Sequence, residues 1–527
     1  MQQPILYILM MSVIAGIVSY PLTHFVAALA QRWGFVDRPD GGHKSHKAPV
    51  ALGGGLAVFL AAFVTFAVEY ISSPSLQDSL QGDAPWLSGL LLAGAWIVLL
   101  GLIDDRFGMR GRYKLLGQIF AALIVIFSGL EIHSFSLFGQ KIHLGYFSIP
   151  FTLFWLVGAI NSLNLLDGID GLATTIGIIL CAAITVMAVW FGQPSVAIVA
   201  AVFAGALVGF LRFNFPPATI FLGDAGSMLI GLVVGSLAIG ASLKGPATVA
   251  MAAPLAIWSL PMFDSFIAIL RRKLTGRSIY ATDRGHLHHR LMARFGKNTR
   301  VLGVVAICCA ITCGGALISM FMQNDLAALA SVVAVICVLV ATQIFGHVEF
   351  VMLASRVRSI GASLISSNHD NGAWHTSFRL QGTRQWDLLW QSLTEYAEKA
   401  QLVEVKLDIN LAAIQEGYHA SWRRRTDCER RELWRTEIPL FVDKHLIGRL
   451  TIGGGRETGL LVCEVIGRLM AILESLEAEI AVLASAQGAA APTENASSET
   501  AVTPSLVASE SATLAAPTTP APHATVG

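Results

Sequence analysis

Residues 161–191 read NSLNLLDGIDGLATTIGIILCAAITVMAVWF, and two features of this stretch decide the architecture. Asp167 and Asp170 share a short glycine-containing loop, and an uncharged apolar run, about 173–191, follows it. A bilayer core about 30 Å thick is crossed by about 20 apolar residues in a helix, so the run reads as a membrane span with two carboxylates at its edge. Working outward, eleven candidate spans emerge, at about 4–30, 51–70, 86–103, 115–130, 148–162, 173–191, 196–212, 223–241, 247–270, 301–321 and 326–346. Several are rich in Gly and Ala, which suits close helix packing in lipid. Between the fourth and fifth, residues 131–147 alternate apolar and polar side chains around Phe138-Gly139-Gln140 and read as a surface hairpin.

The composition agrees. Of 527 residues, 54% are hydrophobic and 13% charged, against about 25% charged in a soluble domain. Five cysteines (Cys181, Cys308, Cys309, Cys313, Cys337) lie in apolar runs, and Cys428 and Cys463 stand far apart, so neither a disulfide framework nor a zinc site is read. The first apolar run reads as a span rather than a removed signal, because no basic segment precedes it.

Charge sets the orientation. Loops after the first, third, seventh and ninth spans carry the basic residues, among them Arg32, Arg38, Lys44 and Lys47, then Arg106 to Lys114, Arg212, and Arg271 to Arg300. The opposite loops offer Lys141 and Lys244. This asymmetry places the basic loops in the cytoplasm and the N-terminus outside.

After residue 346 the composition changes. Residues 347–485 mix tryptophans with charge, with strand-like runs at 402–410, 432–441 and 445–454 and helix-like runs at 386–400 and 460–484. Residues 486–527 are Ala, Pro, Thr and Ser with few aromatics, a disordered composition. The fold class expected is therefore an all-α polytopic membrane protein (residues 1–346, about 11 transmembrane helices). A soluble cytoplasmic α/β or α+β domain (347–485) and a disordered tail (486–527) follow it.

Acidic and histidine-rich loops gather on the cytoplasmic side. Asp104 and Asp105 end the third span, Asp167 and Asp170 follow the fifth, Asp224 opens the eighth, and His286, His288 and His289 follow the ninth. Taken singly, each has a plainer reading: a solvated helix end, a turn glycine, a surface histidine. A transporter would more often place acids near the bilayer midplane. Several such loops on one face, interleaved with Lys and Arg, suit Mg²⁺, which takes one or two carboxylates and substrate phosphates. The residues point to phosphoryl transfer at the cytoplasmic surface.

Four segments carry a resemblance. They are Asp104-Asp105-Arg106, the run from Asn161 through Asn164 and Asp167-Gly168 to Asp170-Gly171, the run from Phe213-Asn214 through Phe221 to Gly223-Asp224, and His286-Leu287-His288-His289-Arg290. In this order they resemble the polyprenyl-phosphate N-acetylhexosamine-1-phosphate transferases, glycosyltransferase family 4. The branch most resembled is the bacterial undecaprenyl-phosphate N-acetylglucosamine-1-phosphate transferases. The resemblance covers about residues 1–346. It departs in the first loop, where His46-Lys47-Ala48-Pro49-Val50-Ala51-Leu52 has Ala51 and Leu52 in place of the family's Pro and Arg.

The resemblance implies that a lipid phosphate attacks the β-phosphorus of a UDP-sugar and releases UMP, with Mg²⁺ (or Mn²⁺) as cofactor. It implies Asp224, Asp105 and Asp167 as metal ligands, and Asp104, Asp105, Asp167, Asp170 and His288 as catalytic residues. Lys114, Asn164, Asn214, Phe221, His46, His286, His289 and Arg290 fall to substrate binding, with Phe221 stacked on uracil. The partners expected are the UDP-sugar, undecaprenyl phosphate, the bacterial inner membrane and a second copy as homodimer; no nucleic acid is expected. The related phospho-N-acetylmuramoyl-pentapeptide transferases carry different first and late loops. A transporter, or a sensor working through 347–485, is the non-enzymatic alternative.

Overall fold

The computed structural model describes residues 2–38, 48–137, 140–243, 252–274, 285–354, 374–381, 386–411, 416–424, 433–442 and 445–455. Helices dominate the first 354: α1 (Gln2–Arg32), α2 (Gly54–Ser72), α3 (Pro74–Leu80), α4 (Ala84–Phe107), α5 (Gly111–Phe127), α6 (Ser148–Leu166) and α7 (Leu172–Trp190). After these come α8 (Pro194–Asn214), α9 (Gly223–Leu243), α10 (Ala252–Leu274), α11 (Leu287–Phe295), α12 (Asn298–Met322), α13 (Asp325–Ala341) and α14 (347–354). Local chemistry sets their limits. Pro194 occupies the first turn of α8, where a missing N–H costs nothing. α4 ends at Gly108, whose amide donates to the Asp104 carbonyl at 2.8 Å.

Among the described residues, eight helices are long and apolar enough to cross a membrane: α1, α2, α4, α6, α7, α8, α9 and α12. The chain is a multispan membrane protein. Helices also stand where the sequence reading puts its fourth, ninth and eleventh spans. However, α5 and α13 have 17 residues each, and α10 interrupts its apolar run with Asp264.

The bundle is organised around α9, which is buried along nearly all its apolar length. A helix enclosed on every side must be approached at close range, and small residues permit this. A Cβ on Gly101 of α4 would lie 2.2 Å from the Ala225 Cα, and one on Gly231 of α9 would lie 2.6 Å from the Ile160 Cα of α6. These contacts bring the last turn of α4 beside the first turn of α9, and with them Asp104, Asp105 and Asp224.

Short β pairings seal the same end. β1 (Val36–Asp37) pairs antiparallel with β2 (Val50–Ala51), and Ala51 bridges in parallel to Ile220. The Phe221 amide donates to the Ala51 carbonyl at 2.8 Å, and the Gly54 amide returns a bond to the Phe221 carbonyl at 3.1 Å. Position 51 contributes its carbonyl, which Pro and Ala supply alike, so the departure at Ala51 leaves this joint intact. The hairpin expected within 131–147 is β3 (Ser134–Leu137) against β4 (Gln140–His143).

The later residues form a five-stranded sheet of β5 (Trp374–Gln381), β6 (Glu404–Leu411), β7 (Glu416–Arg423), β8 (Leu433–Val442) and β9 (His445–Gly455), in the order β5-β7-β6-β9-β8. Every pairing is antiparallel, so the region is α+β rather than α/β. Helix α15 (Trp386–Lys399) buries Trp386, Trp390, Leu393 and Ala397, one face at helical spacing, with Val405, Leu407 and Ile409 of β6. The three strands and the 386–400 helix of the sequence reading are found. β5 and β7 were not read, and the 460–484 helix and the tail lie outside the described residues. The five described cysteines are free thiols.

The α4–α9 contact yields a direct expectation. Gly101→Leu must push two backbones apart, and overpacking of this kind costs about 1–3 kcal/mol. Thermal unfolding of the full chain in detergent should show a clearly lowered Tm. An unchanged Tm would mean that the two helices do not meet as described.

Candidate active site

The site is built where α4 and α6 end and α5 and α9 begin. Asp105 accepts the Asp224 backbone amide at 2.8 Å on Oδ1 and lies 3.5 Å from the Ala225 amide on Oδ2. It thereby caps α9 from a neighbouring helix, satisfying amides that a helix start leaves open. Gly223, the residue before, has φ of 73°, and a Cβ there would sit 2.5 Å from the Asp105 Oδ2. Glycine is required on both counts.

With its backbone fixed by Asp105, Asp224 turns its side chain to other partners. The Lys114 Nζ of α5 stands 3.0 Å from the Asp224 Oδ2 and 2.9 Å from the Asp104 Oδ2, joining three helices. Asn164, from the last turn of α6, donates to the Asp224 Oδ1 and to the Ser227 Oγ. Asp104 also accepts the Met109 amide at 2.6 Å. Asp167 follows α6 directly. It keeps partial contact with solvent although protein surrounds it densely. Burial and the negative charges of Asp224, Asp105 and Asp170 hold its carboxyl well above the usual carboxylate range.

Two neighbouring loops are tied together by Asn214. Its Oδ1 accepts the Gly171 amide at 3.1 Å and the Thr174 hydroxyl at 2.8 Å, and its Nδ2 donates to the Ile220 carbonyl at 3.0 Å. This buried amide holds the two loops together. Asp170 accepts the Ala218 amide at 3.1 Å and serves the same joint. Phe221 is half-buried beside it.

The histidine segment reaches this loop from the other side. A Cβ on Gly168 would fall 2.1 Å from the His288 Nε2, so a bare Cα at 168 lets the imidazole approach. His288 is buried, with its ring parallel to that of His286 at 6.0 Å and its centroid 4.2 Å from that of the exposed His289. Burial, then His289 and His286, hold the His288 imidazole well below the usual histidine range.

Of the residues expected from sequence, Asp104, Asp105, Lys114, Asn164, Asp167 and Asp224 are thus brought into one cluster, with His288 against its edge. His286 and Arg290 are held from behind, by Asp264 and Glu349 respectively. His46 lies outside the described residues. Sequence reasoning missed Asp264, Glu349 and Arg271. Asp264 left a signal, since a lone acid inside an apolar span is costly and needs a reason.

Residues 87–242 match the family described as glycosyl transferase family 4. The chain is 32% identical to a probable undecaprenyl-phosphate N-acetylglucosaminyl 1-phosphate transferase of Bacillus subtilis over 53% of its own length and 75% of that protein's. It is 32% identical to the decaprenyl-phosphate N-acetylglucosaminephosphotransferase of Mycolicibacterium smegmatis, covering 65% of this chain and 89% of the relative. A phospho-N-acetylmuramoyl-pentapeptide-transferase of a Thermoanaerobacter species is 34% identical over shorter shares, 39% and 68%. The chain belongs to glycosyl transferase family 4, among its prenyl-phosphate sugar-phosphate transferases.

Two outcomes test this geometry. Gly168→Ala should displace a histidine that has little room to move, lowering kcat/KM by about tenfold or more; wild-type kinetics in this variant would remove His288 from the loop. The second concerns pH. A histidine kept neutral in the fold stabilises fully above its unfolded value of about 6.5, and that contribution is lost as pH falls below it. Tm should therefore decline below about pH 6.5, and His288→Gln should flatten the decline. Superimposable Tm profiles for variant and wild type would contradict the burial of a neutral imidazole.

Proposed function

We propose that this protein transfers N-acetylglucosamine-1-phosphate from UDP-N-acetylglucosamine to undecaprenyl phosphate. This would be the first step of a lipid-linked cell-envelope polysaccharide. The observation that carries the reading is the Lys114 ammonium set between Asp104 of α4 and Asp224 of α9 at one end of the bundle. A cation between two acids can exchange its carboxylate partners for incoming phosphate. Names and identities of the relatives add weight.

In this reading a lipid phosphate oxygen bonds to the β-phosphorus of the nucleotide sugar. The bond from that phosphorus to the oxygen bridging the α-phosphate breaks, and UMP leaves with the electron pair. Such a step needs positioning and charge neutralisation more than covalent help. Lys114 neutralises the lipid phosphate beside Asp104, Asp105 holds α9 in register, and Asn164 fixes the Asp224 carboxylate. Phe221 stacks on uracil, and His286, His288, His289 and Arg290 face the diphosphate and sugar.

The donor set also fits a hard divalent cation. Asp224 and Asp167 are oxygen donors in a crowded acidic cluster whose mutual repulsion a cation would relieve. Among the described residues no cage of three or more acidic, cysteine or histidine ligands forms, which suits an ion that completes its shell with substrate phosphates. Mg²⁺, when bound by Asp224 and Asp167, would supply neutralisation of the diphosphate. The eleven-span topology belongs to this reading as well: the basic loops and the site face the cytoplasm of a bacterial inner membrane, where UDP-sugars are made.

The test is to incubate the purified full chain with UDP-N-acetylglucosamine, undecaprenyl phosphate and Mg²⁺, and to identify UMP and the lipid product. Asp224→Asn, nearly isosteric, should cost at least about 100-fold in kcat, and chelation should abolish turnover. Product formation unaffected by both, or formed only from a muramoyl-pentapeptide donor, would overturn the assignment.

A further inference from the structure

The segment His286–Arg290 is anchored by acids that lie outside every motif of the sequence. Asp264, midway along α10, is fully buried. Its Oδ1 accepts the Leu287 amide at 2.7 Å, capping α11 from another helix, and its Oδ2 lies 2.9 Å from the His286 Nδ1. A carboxylate can only accept, so the His286 Nδ1 carries the hydrogen and Nε2 is the nitrogen left for a ligand.

The second acid comes from farther away. Glu349 of α14 is also fully buried. Its Oε1 accepts a short bond from the Arg271 Nε and faces the Arg290 Nη2 at 3.4 Å. Arg271 in turn donates from Nη2 to the Gly285 carbonyl at 2.8 Å. Asp264 and the Arg271–Glu349 pair therefore fix positions 285, 286, 287 and 290, before and after the histidine that rests on Gly168.

We propose that Asp264 and Glu349 are positioning residues for the transfer reaction, holding the histidine–arginine segment against the Asp167–Asp170 loop. The transferase unit then extends past residue 346, because Glu349 belongs to it. This rests on the function proposed above. The plainer alternative is a pair of buried structural ion contacts, which would alter stability and leave the folded enzyme's kinetics alone.

The experiment uses the full chain in detergent, with Asp264→Asn, Glu349→Gln and the charge-conserving Glu349→Asp. Turnover of UDP-N-acetylglucosamine is measured alongside Tm and mass-spectrometric mapping of histidine modification by diethyl pyrocarbonate. Asn and Gln variants should lose between about tenfold and 100-fold in kcat/KM, with Glu349→Asp intermediate. Glu349→Gln added to Arg290→Ala should cost less than about twofold more, because both act through one contact. His288, protected in the wild type, should become reactive in both neutral variants. Normal kcat/KM with only Tm lowered, or full additivity with Arg290→Ala, would overturn the proposal. Should Glu349→Gln fail to fold, wild-type kcat/KM in a folded Glu349→Asp would do the same. A wild type without UDP-sugar turnover would overturn the function instead. In that case, unchanged protection of His288 in the variants would separately refute the positioning.

Discussion

Backbone contact between Gly101 of α4 and Ala225 of α9 places the Asp105 carboxylate at the first amides of a helix that has almost no lipid-facing side. The rest of the site follows from that arrangement. The amides opening α9 carry partial positive charge and point away from the apolar interior. An acid supplied from α4 satisfies them without using a residue of α9 itself. Asp224 is then released from capping its own helix, and its side chain can meet Lys114 and Asn164. Of two adjacent aspartates on α4, Asp105 serves the scaffold and Asp104 faces the lysine. Their neighbouring positions in sequence conceal different work.

The cluster is electrostatically incomplete by design of its geometry. Asp104, Asp105, Asp167 and Asp224 crowd together with Lys114 set between two of them. Burial among other acids favours the protonated form, and it holds the Asp167 carboxyl well above the usual carboxylate range; a protonated carboxyl is a poor ligand for a cation. Arrival of a divalent ion with a diphosphate would reverse that preference. The Asn214 crosslink ties the 167–171 and 214–222 loops together through three bonds to Gly171, Thr174 and Ile220.

Much of this could be read from the sequence because the relevant signals are local. Helix positions followed from apolar length. The strands at 404–411, 433–442 and 445–455 followed from alternation, and the acids from their position at span ends. What escaped reading depends on contacts between distant residues. Nothing in the sequence around Asp105 separates a helix cap from a metal ligand, since the amides it accepts lie more than a hundred residues away. The three partners of Asn214 come from separate segments that only the fold brings together. β5 and β7 alternate as well, with Trp374, Phe378 and Leu380 set against His375, Arg379 and Gln381, and Tyr418, Ala420 and Trp422 against His419, Ser421 and Arg423, so their period-2 signal also stands in the sequence.

Glu349 lies just past the change in composition near residue 346 and still meets the helical bundle. The change in character near residue 346 is real, yet a break in hydropathy marks where lipid ends, which need not be where a folding unit ends. Phe345 lies in the core of the helical bundle, and Met352 of α14 is buried. Between them Glu349 sits with two arginines that have no place inside a membrane bundle without a counter-charge. An unpaired buried guanidinium is far more costly than a paired one, and the Glu349 carboxylate offsets part of that cost for Arg271. Among the described residues, a carboxylate that meets Arg271 and Arg290 comes from α14, a helix that follows the last long apolar one.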